Sequence, residues 1–444
     1  MERHDIVSAL HRSQHAVDTL FGTPTERGFD VRYWDGTVET AGDGDAPFTL
    51  VLKTPSALRQ MLLPPSELAI VEAYLSGVVD VEGELSAAVA LGDAIKSRLS
   101  SVRALISLTK DLLSLPSPNG DAEAVREHSA DALGTQSGEK HERRRDRAAI
   151  SYHYDVGNDF YQLWLDKRMV YSCAYFHRAD DTLDRAQEAK LDLVCRKLRL
   201  EPDDRFLDIG CGWGALVIHA ATHYGVNAVG VTLSKRQAEL ATKRIADAGL
   251  SKCCRIELRD YRDVATLGPF DKLASVGMVE HVGVDHLPQY FASAYAALAP
   301  GGLFLNHGIV SVQAGRPRGW RESLARRLWK ADAFIDQYVF PDGKLGPFYE
   351  IIHAAEAVGF ETRDVESLRE HYARTLEEWI SRLERNRDRA VAIVGETAFR
   401  VWRLYMTASA RGFGTGDLNV LQTLLSKPRE GHTNLPPTRE DLFI

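Results

Sequence analysis

The 444-residue sequence lacks any long hydrophobic run. No stretch approaches the ~18–20 apolar residues of a membrane-spanning helix, and the opening segment MERHDIVSALHRSQHAV lacks the apolar centre of a signal peptide. A dominant charge is absent too, because 54 Lys and Arg oppose 62 Asp and Glu and leave a net charge of −8. A mildly acidic chain is not built to coat nucleic acid. The sequence therefore predicts a cytoplasmic protein with no nucleic-acid partner.

Cysteine is scarce as well. The five cysteines are Cys173, Cys195, Cys211, Cys253 and Cys254. Their number is odd, two are adjacent, and none stands in a CxxC or a Cys/His spacing typical of zinc. The pattern excludes a disulfide framework, and we expect no metal site.

Composition divides the chain into three parts. Residues 1–115 alternate helical patterns with short strand-like runs, which predicts a small N-terminal α+β domain that carries no chemical motif and is a candidate for lipid or dimer contacts. Residues 116–147 are polar and almost free of large apolar side chains, so we predict a flexible linker. Residues 148–444 are predicted to form the catalytic domain. There the short apolar runs RFLDIG, VNAVGVTL, CRIELRD, FDKLASVGM and GGLFLNHGIV are separated by helical patterns, as in an α/β fold with a mostly parallel sheet.

The clearest local motif is LDIGCGWG at residues 207–214, where an apolar run enters a glycine-rich turn before a helical pattern. Missing Cβ atoms allow the backbone to approach a ligand there. A dinucleotide site would carry GxGxxG and an acid about 20 residues further on. Here the spacing is GxGxG, Asp208 precedes the glycines, and the second strand ends in VTLS at residues 231–234. The pattern therefore favours S-adenosylmethionine over a nicotinamide cofactor.

The third predicted strand ends in RDYRD at residues 259–263. The carboxyl ends of parallel strands face the ligand crevice, so Asp260 and Tyr261 are predicted to meet the adenine by hydrogen bonding and stacking. Arg262 and Asp263 are predicted to lie in a solvated loop.

Four further segments make the sequence resemble a known family. They are YHYDVGNDFY at residues 152–161, MVYSCAYF at 169–176, GMVEHVG at 277–283 and YVFPDG at 338–343. With LDIGCGWG and GVTLS, they resemble the cyclopropane-fatty-acyl-phospholipid synthases, a family that includes the mycolic acid cyclopropane synthases. The resemblance covers residue 148 to the end and implies a Rossmann-like class I methyltransferase sheet with helical additions.

The resemblance also implies a reaction. A methyl group passes from S-adenosylmethionine to a cis double bond in a fatty acyl chain of a membrane phospholipid, a carbocation develops, and loss of a proton from the new methyl closes a cyclopropane ring. Such a site must align the alkene, exclude water and stabilise a cation without reacting with it. Aromatic faces can do the last of these. The candidates are Tyr154, Phe160, Tyr161, Trp164, Tyr171, Tyr175 and Phe176.

Site residues follow from the resemblance by position. A bicarbonate ion serves as the base, and its implied ligands are Cys173, Glu280, His307, Ile309 and Tyr372. Backbone amides of Cys173 and Ile309, the Tyr372 hydroxyl and a His307 nitrogen would donate to the anion, and Glu280 would accept its proton. The implied S-adenosylmethionine residues are Tyr171, Ser172, Asp208, Gly210, Gly212, Gly214, Thr232, Leu233, Gln237, Asp260 and Tyr261.

Partners follow less directly. Residues 316–330 place six basic side chains among Trp and Leu, which predicts either an amphipathic helix for a lipid headgroup layer or a solvated helix with a buried face. We expect peripheral contact with the inner membrane face, and the resemblance implies a homodimer.

Three alternatives stay open. The same methyl transfer could instead leave a methylene branch, which a reductase could convert to a methyl branch. A small-molecule methyltransferase and a non-catalytic protein that binds S-adenosylmethionine or lipid are the others.

Overall fold

The computed structural model describes residues 3–42, 44–92, 95, 102–117, 157–312, 334, 337–338, 345–433 and 435–442. These residues form two compact units. The described residues up to 117 and Gly395–Ala408 belong to the first unit, and residues 157–312, 345–394 and those from Ser409 onward belong to the second. Within the described ranges, no helix has both the length and the apolar character to span a bilayer.

The first unit contains a four-stranded sheet in the order β2-β1-β3-β4. Its strands are β1 (Asp30–Arg32), β2 (Val38–Glu39), β3 (Phe48–Leu52) and β4 (Val79–Gly83). Its helices are α1 (Arg3–Phe21), α2 (Ala57–Leu62), α3 (Glu67–Leu75), α4 (Leu85–Val89) and α5 (Val102–Ser114). Apolar residues such as Leu20, Val31, Leu52 and Leu112 pack between the helices and the sheet, as in an α+β domain.

The second unit contains a seven-stranded sheet in the order β10-β11-β9-β8-β5-β6-β7. Its strands are β5 (Arg205–Ile209), β6 (Asn227–Thr232), β7 (Cys254–Leu258), β8 (Phe270–Val276), β9 (Leu298–Ser311), β10 (Glu361–Ser367) and β11 (Leu418–Ser426). Strands β5 to β9 pair in parallel, whereas β11 pairs antiparallel with β9 and β10.

Helices cover this sheet. They are α6 (Asn158–Tyr161), α7 (Leu183–Lys197), α8 (Ala215–Tyr224), α9 (Lys235–Asp247), α10 (Val279–Val282), α11 (Leu287–Ala297), α12 (Phe348–Ala357) and α13 (Arg369–Arg385). A further helix, α14 (Arg387–Thr415), bends at Gly395, and its residues Gly395–Ala408 belong to the first unit. Short polar caps set two helix starts beside the sheet, since Thr182 accepts from the Arg185 amide and Ser234 accepts from the Gln237 amide.

The order of the strands determines where a ligand can bind. The chain runs from β5 to β6 and β7 on one side and then crosses to β8 and β9 on the other. In open α/β sheets a crevice forms at such a reversal, beyond the carboxyl ends of the strands. The carboxyl ends of β5, β6 and β8 therefore frame the candidate site.

The predicted fold class is confirmed, and the five apolar runs form β5 to β9. The domain boundaries stay predictions. Nearly all of the predicted linker at 116–147, and the basic segment at 316–330, lie outside the described residues.

Candidate active site

A cleft opens at the carboxyl ends of β5, β6 and β8. Its lining consists of Ile209, Gly210, Gly212, Val231, Thr232, Leu233, Gln237, Arg259, Tyr261, Gly277, Met278 and His281. Six of the predicted cofactor residues are in that lining, namely Gly210, Gly212, Thr232, Leu233, Gln237 and Tyr261. The other five, Tyr171, Ser172, Asp208, Gly214 and Asp260, do not line it.

The glycine turn after β5 lies tightly against its neighbours. Gly214 has a φ of 80° immediately before α8, and a Cβ there would lie 3.1 Å from the Ala241 Cβ. Gly230 in β6 lies beside the turn, where a Cβ would lie 2.8 Å from the Cys211 Sγ. Glycine at these positions therefore lets the turn pack closely against the sheet and α9. Helix α8 begins shortly after Gly212, which lines the cleft, so the amino end of the helix lies near the cleft.

The end of β6 presents a buried polar pair to the cleft. The Thr232 hydroxyl donates to the Gln237 Oε1 at 2.8 Å, and both residues are buried. This bond uses the amide oxygen of Gln237 and leaves its NH₂ group as a donor for a ligand.

Asp208 lies just before the glycine turn and is 3% exposed. Its Oδ1 has no hydrogen-bond partner among the described residues. Burial raises the pKa of the Asp208 carboxyl to about 7, and the Lys190 ammonium partly opposes this rise. An unpartnered buried carboxyl beside the cleft fits a site that takes a positively charged group.

The turn after β7 differs from its prediction. Arg262 donates to both oxygens of Asp260, from Nε to Oδ1 at 2.8 Å and from Nη2 to Oδ2 at 2.7 Å. Both side chains are only 7% exposed, so the prediction of a solvated Arg262 is wrong. The cause is this bidentate ion pair, because each charge neutralises the other where water does not reach them. The Arg262 guanidinium also lies 5.1 Å from the centre of the Tyr261 ring and holds that ring at the cleft.

A second polar cluster lies between α10, β9 and β11. Glu280 Oε1 accepts a hydrogen bond from the Ile309 amide at 2.8 Å. The Ile309 N–H, expected to face an anion, is therefore engaged by Glu280. Glu280 Oε2 is buried and has no partner in the described part of the chain. Burial raises the pKa of the Glu280 carboxyl to about 7.

His307 lies on β9 two residues before Ile309 and is 1% exposed. Its Nδ1 lies 3.2 Å from the Gln422 Nε2, a donor, so with this amide orientation the imidazole hydrogen is on Nε2. Burial lowers the pKa of His307 well below its ordinary value, and the ring is neutral. Its Nε2 has no partner among the described residues. Glu280 and His307 thus each keep one buried polar atom without a partner in the described part of the chain.

Cys173 and Tyr372 meet at one carbonyl. The Cys173 Sγ lies 3.6 Å from the Leu368 oxygen, which also accepts from the Tyr372 amide at 3.0 Å. The Leu368 amide donates in turn to Val420, whose partner across the sheet is Ile309. This chain of contacts brings both residues to the end of the sheet that carries Ile309. Burial raises the pKa of the Cys173 thiol, so the group is a neutral thiol rather than a nucleophile.

Aromatic rings form a continuous buried cluster next to these residues. The Trp164 ring contacts Tyr161, Tyr171 and Trp379, with ring centres 5.3, 5.5 and 5.5 Å apart. Trp379 also contacts Tyr171 and Tyr372. Tyr175 and Phe176 instead stack on His371, and Tyr154 lies outside the described residues.

Sequence reasoning missed several of these residues. Arg259, Met278 and His281 line the cleft. Each lies within a quoted motif, RDYRD or GMVEHVG, but is not among the predicted cofactor residues. Trp379 and Lys190 lie within ordinary helical patterns, and nothing in their local sequence marks them.

The strand order, the glycine turn after β5 and the cleft define a Rossmann-like methyltransferase of class I. A family model described as mycolic acid cyclopropane synthetase matches residues 141–423. The chain belongs to this family of S-adenosylmethionine-dependent methyltransferases. A second model, a domain of unknown function (DUF7884), matches residues 16–101.

Relatives match over different shares of the chain. A probable fatty acid methyltransferase of Pseudomonas putida is 40% identical over 416 residues, which cover 93% of this chain and 95% of the relative. The probable fatty acid methyltransferase Rv3720 of Mycobacterium tuberculosis is 38% identical over 91% of this chain and 92% of its own. The solved cyclopropane synthase MmaA2 from Mycobacterium tuberculosis is 36% identical, with a TM-score of 0.58, over 63% of this chain and 97% of its own. A structure of mycolic acid cyclopropane synthase CmaA1 complexed with SAH and CTAB matches equally well. The individual roles of the site residues stay predictions.

Proposed function

We propose that this S-adenosylmethionine-dependent methyltransferase acts on the cis double bond of an unsaturated acyl chain in a membrane phospholipid, and that it closes a cyclopropane ring with bicarbonate as the base. The observation that carries the proposal is the pair of buried, unpartnered atoms Glu280 Oε2 and His307 Nε2. A buried polar atom without a partner costs stability, so such a pair supports a ligand site at this end of the sheet.

The chemistry of the pair suits a bicarbonate ion. The neutral His307 donates from Nε2 to an anion oxygen, and Gln422 holds the ring in that orientation. With a pKa of about 7, Glu280 offers a hydrogen bond in either state. Its ionised form accepts from the O–H of the ion, and its protonated form donates to an oxygen. Bound there, the ion supplies a base that removes a proton from the newly attached methyl group.

The aromatic cluster suits the other half of the reaction. An isolated alkene is a weak nucleophile, and the cation formed after methyl transfer reacts readily with water. Trp164, Trp379 and Tyr161 are at most 1% exposed, so water does not reach their inner faces. Ring faces of this kind attract a cation by about 0.5–2 kcal/mol each. The cluster therefore favours a cationic transition state without offering it a nucleophile.

The cleft has features that suit S-adenosylmethionine, the donor of the methyl group. The glycine turn allows a ligand to come close to the protein backbone. Thr232 and Gln237 provide fixed polar groups, and Tyr261 offers a ring for stacking. Asp208 provides a buried carboxyl oxygen without a described partner just before the turn. These features support S-adenosylmethionine, which carries an adenine and two cationic groups.

Contact with the membrane is part of the proposal. A phospholipid acyl chain lies inside a bilayer, and the net charge of −8 opposes approach to an anionic surface. Docking must then depend on a local patch, and the basic segment at residues 316–330 is our first candidate from the sequence.

A methyl-branched product is the second candidate. The two relatives that match nearly the whole chain carry the name probable fatty acid methyltransferase. In this route a hydride shift moves the cation to the carbon that bears the new methyl. Loss of a methyl proton then leaves an exocyclic methylene, which a reductase converts to a branch.

The test uses the purified protein with S-adenosylmethionine and vesicles of a monounsaturated phospholipid. We expect S-adenosylhomocysteine to accumulate with an acyl product one CH₂ heavier that resists mild hydrogenation. A product that takes up hydrogen like a simple alkene would favour the branched route. Turnover of a small molecule without vesicles, with none on lipid, would contradict both.

A variant pair sharpens this test. Glu280→Gln is expected to lower turnover by at least a hundredfold, because the site loses the carboxyl that orients the base. Glu377→Gln, at an exposed position on α13, serves as the matched control and is expected to keep full activity. Equal rates for the two variants would refute the proposed base site.

A further inference from the structure

Lys190 is a buried lysine in the middle of α7 and is 2% exposed. Its ammonium donates to the Ser172 Oγ at 2.8 Å. The titratable groups that face it are the carboxyls of Asp166 and Asp208 and the neutral thiol of Cys173. Burial of an ammonium is costly unless it has partners, so this lysine needs an explanation beyond packing.

The direction of this bond determines what Ser172 can do. An ammonium has no acceptor, so Lys190 is the donor and the Ser172 oxygen is the acceptor. The hydroxyl hydrogen must then point to a different group. Among the residues that the structure describes, no acceptor takes it. Ser172 is therefore left as a donor, polarised by a neighbouring cation.

Helix α7 also holds the backbone around Ser172. The Gln187 Nε2 donates to the Ser172 carbonyl at 2.9 Å and lies 3.4 Å from the Val170 carbonyl. Asp166 Oδ1 accepts from the Val170 amide at 2.7 Å. Since Gln187 is fully buried, the segment that carries Ser172 has one fixed position relative to α7.

We propose that Lys190 is a positioning residue that directs the Ser172 hydroxyl to donate to the carboxylate of the methionine part of S-adenosylmethionine. This inference rests on the proposed function and on the cofactor role that the family resemblance implies for Ser172. The carboxylate is the anionic acceptor of that moiety, and a hydroxyl polarised by a cation matches an anion better than the neutral ribose hydroxyls.

The experiment measures calorimetric affinities for S-adenosylhomocysteine and for its decarboxylated analogue. The variants are Lys190→Met, Lys190→Arg, Ser172→Ala and the Lys190→Met/Ser172→Ala double variant. Lys197→Met is the matched control, because Lys197 is also a 2% exposed lysine of α7 but pairs with Glu366 rather than Ser172. Thermal unfolding is recorded for each variant.

We expect the wild type to prefer the carboxylated ligand by roughly tenfold or more, as for a hydrogen bond to a charged group. Lys190→Met and Ser172→Ala should each remove most of that preference, and the double variant should be no worse than Ser172→Ala. Lys190→Arg should keep most of it, and Lys197→Met all of it. A full preference in Lys190→Met, or additive losses in the double variant, would overturn the inference.

Two further results distinguish a failure of this inference from a failure of the proposed function and from a variant that does not fold. A wild type that binds neither ligand would refute the proposed function, and the inference would fall with it. If Lys190→Met does not fold, the wild type provides the test through pH, because burial lowers the pKa of Lys190 to about 8. The preference should then decline between pH 7.5 and 9 in the wild type and stay flat in Ser172→Ala. A flat wild-type profile would contradict the inference.

Discussion

The buried carboxyl of Glu280 should make the stability of the cofactor-free protein depend on pH. In the unfolded chain this group loses its proton near the ordinary glutamate pKa of 4.5, whereas burial keeps it protonated to about pH 7 in the folded protein. The folded state binds more protons between these values, so the free energy of unfolding falls as the pH rises through this window. The substitution Glu280→Gln removes the titration and keeps an oxygen that can accept from the Ile309 amide.

The magnitude follows from the two pKa values. They differ by about 2.5 pH units, which corresponds to about 3 kcal/mol at 1.36 kcal/mol per unit. Most of this change falls between pH 5 and pH 8. Relative to the wild type, Glu280→Gln should therefore gain about 2–3 kcal/mol of stability between these pH values, although it loses activity.

Chemical denaturation at pH 5 and pH 8 measures this difference. The exposed Glu377→Gln variant is the control and should follow the wild type at both pH values. A stability difference between Glu280→Gln and the wild type that is the same at both pH values would refute the reasoning. So would a difference that shrinks as the pH rises.

Three other substitutions test the cleft, the aromatic cluster and the base cluster. Gly230→Ala places a Cβ 2.8 Å from the Cys211 Sγ, so we expect a loss of about 1–3 kcal/mol in stability and weaker binding of S-adenosylhomocysteine by calorimetry. Trp379→Ala empties a site that is 1% exposed and should cost about 3–5 kcal/mol in chemical denaturation. Gln422→Leu removes the partner of His307 Nδ1, so we expect turnover to fall by about tenfold with unchanged S-adenosylhomocysteine affinity.

Each of these expectations has a result that contradicts it. Unchanged binding and stability in Gly230→Ala would show that the glycine turn has room to move, and Gly28→Ala, where a Cβ meets nothing within 4 Å, is its control. A Trp379→Ala variant as stable as the wild type would exclude a packed cluster. A Gln422→Leu variant with full turnover would show that the His307 ring needs no support.

The sequence predicts the sheet well because its strands contain apolar runs, and β5 and β6 are buried along nearly their whole length. Such strands need no tertiary information to be recognised. The glycine turn and the end of β6 can also be recognised from a few neighbouring residues. The structure places Gly210, Gly212, Thr232 and Gln237 around one cleft.

Residues that depend on long-range contacts could not be found in this way. Arg262 resembles a loop residue in sequence, and only its bidentate pair with Asp260 explains its burial. Lys190 lies in a helix with many charged residues, and only its hydrogen bond to Ser172, 18 positions away, distinguishes it from them. Trp379 becomes part of the aromatic cluster only when α13 packs beside Trp164. These contacts join distant segments, which hydrophobic periodicity does not encode.

The central claim is that a methyl group passes from S-adenosylmethionine to an acyl double bond and then loses one proton to a base in the site. The most direct test supplies S-adenosylmethionine with a fully deuterated methyl group, together with monounsaturated phospholipid vesicles, and analyses the acyl chains by mass spectrometry. We predict a product that retains two of the three deuterium atoms and forms in step with S-adenosylhomocysteine. A product that retains all three, or acyl chains without deuterium while S-adenosylhomocysteine accumulates, would contradict the account.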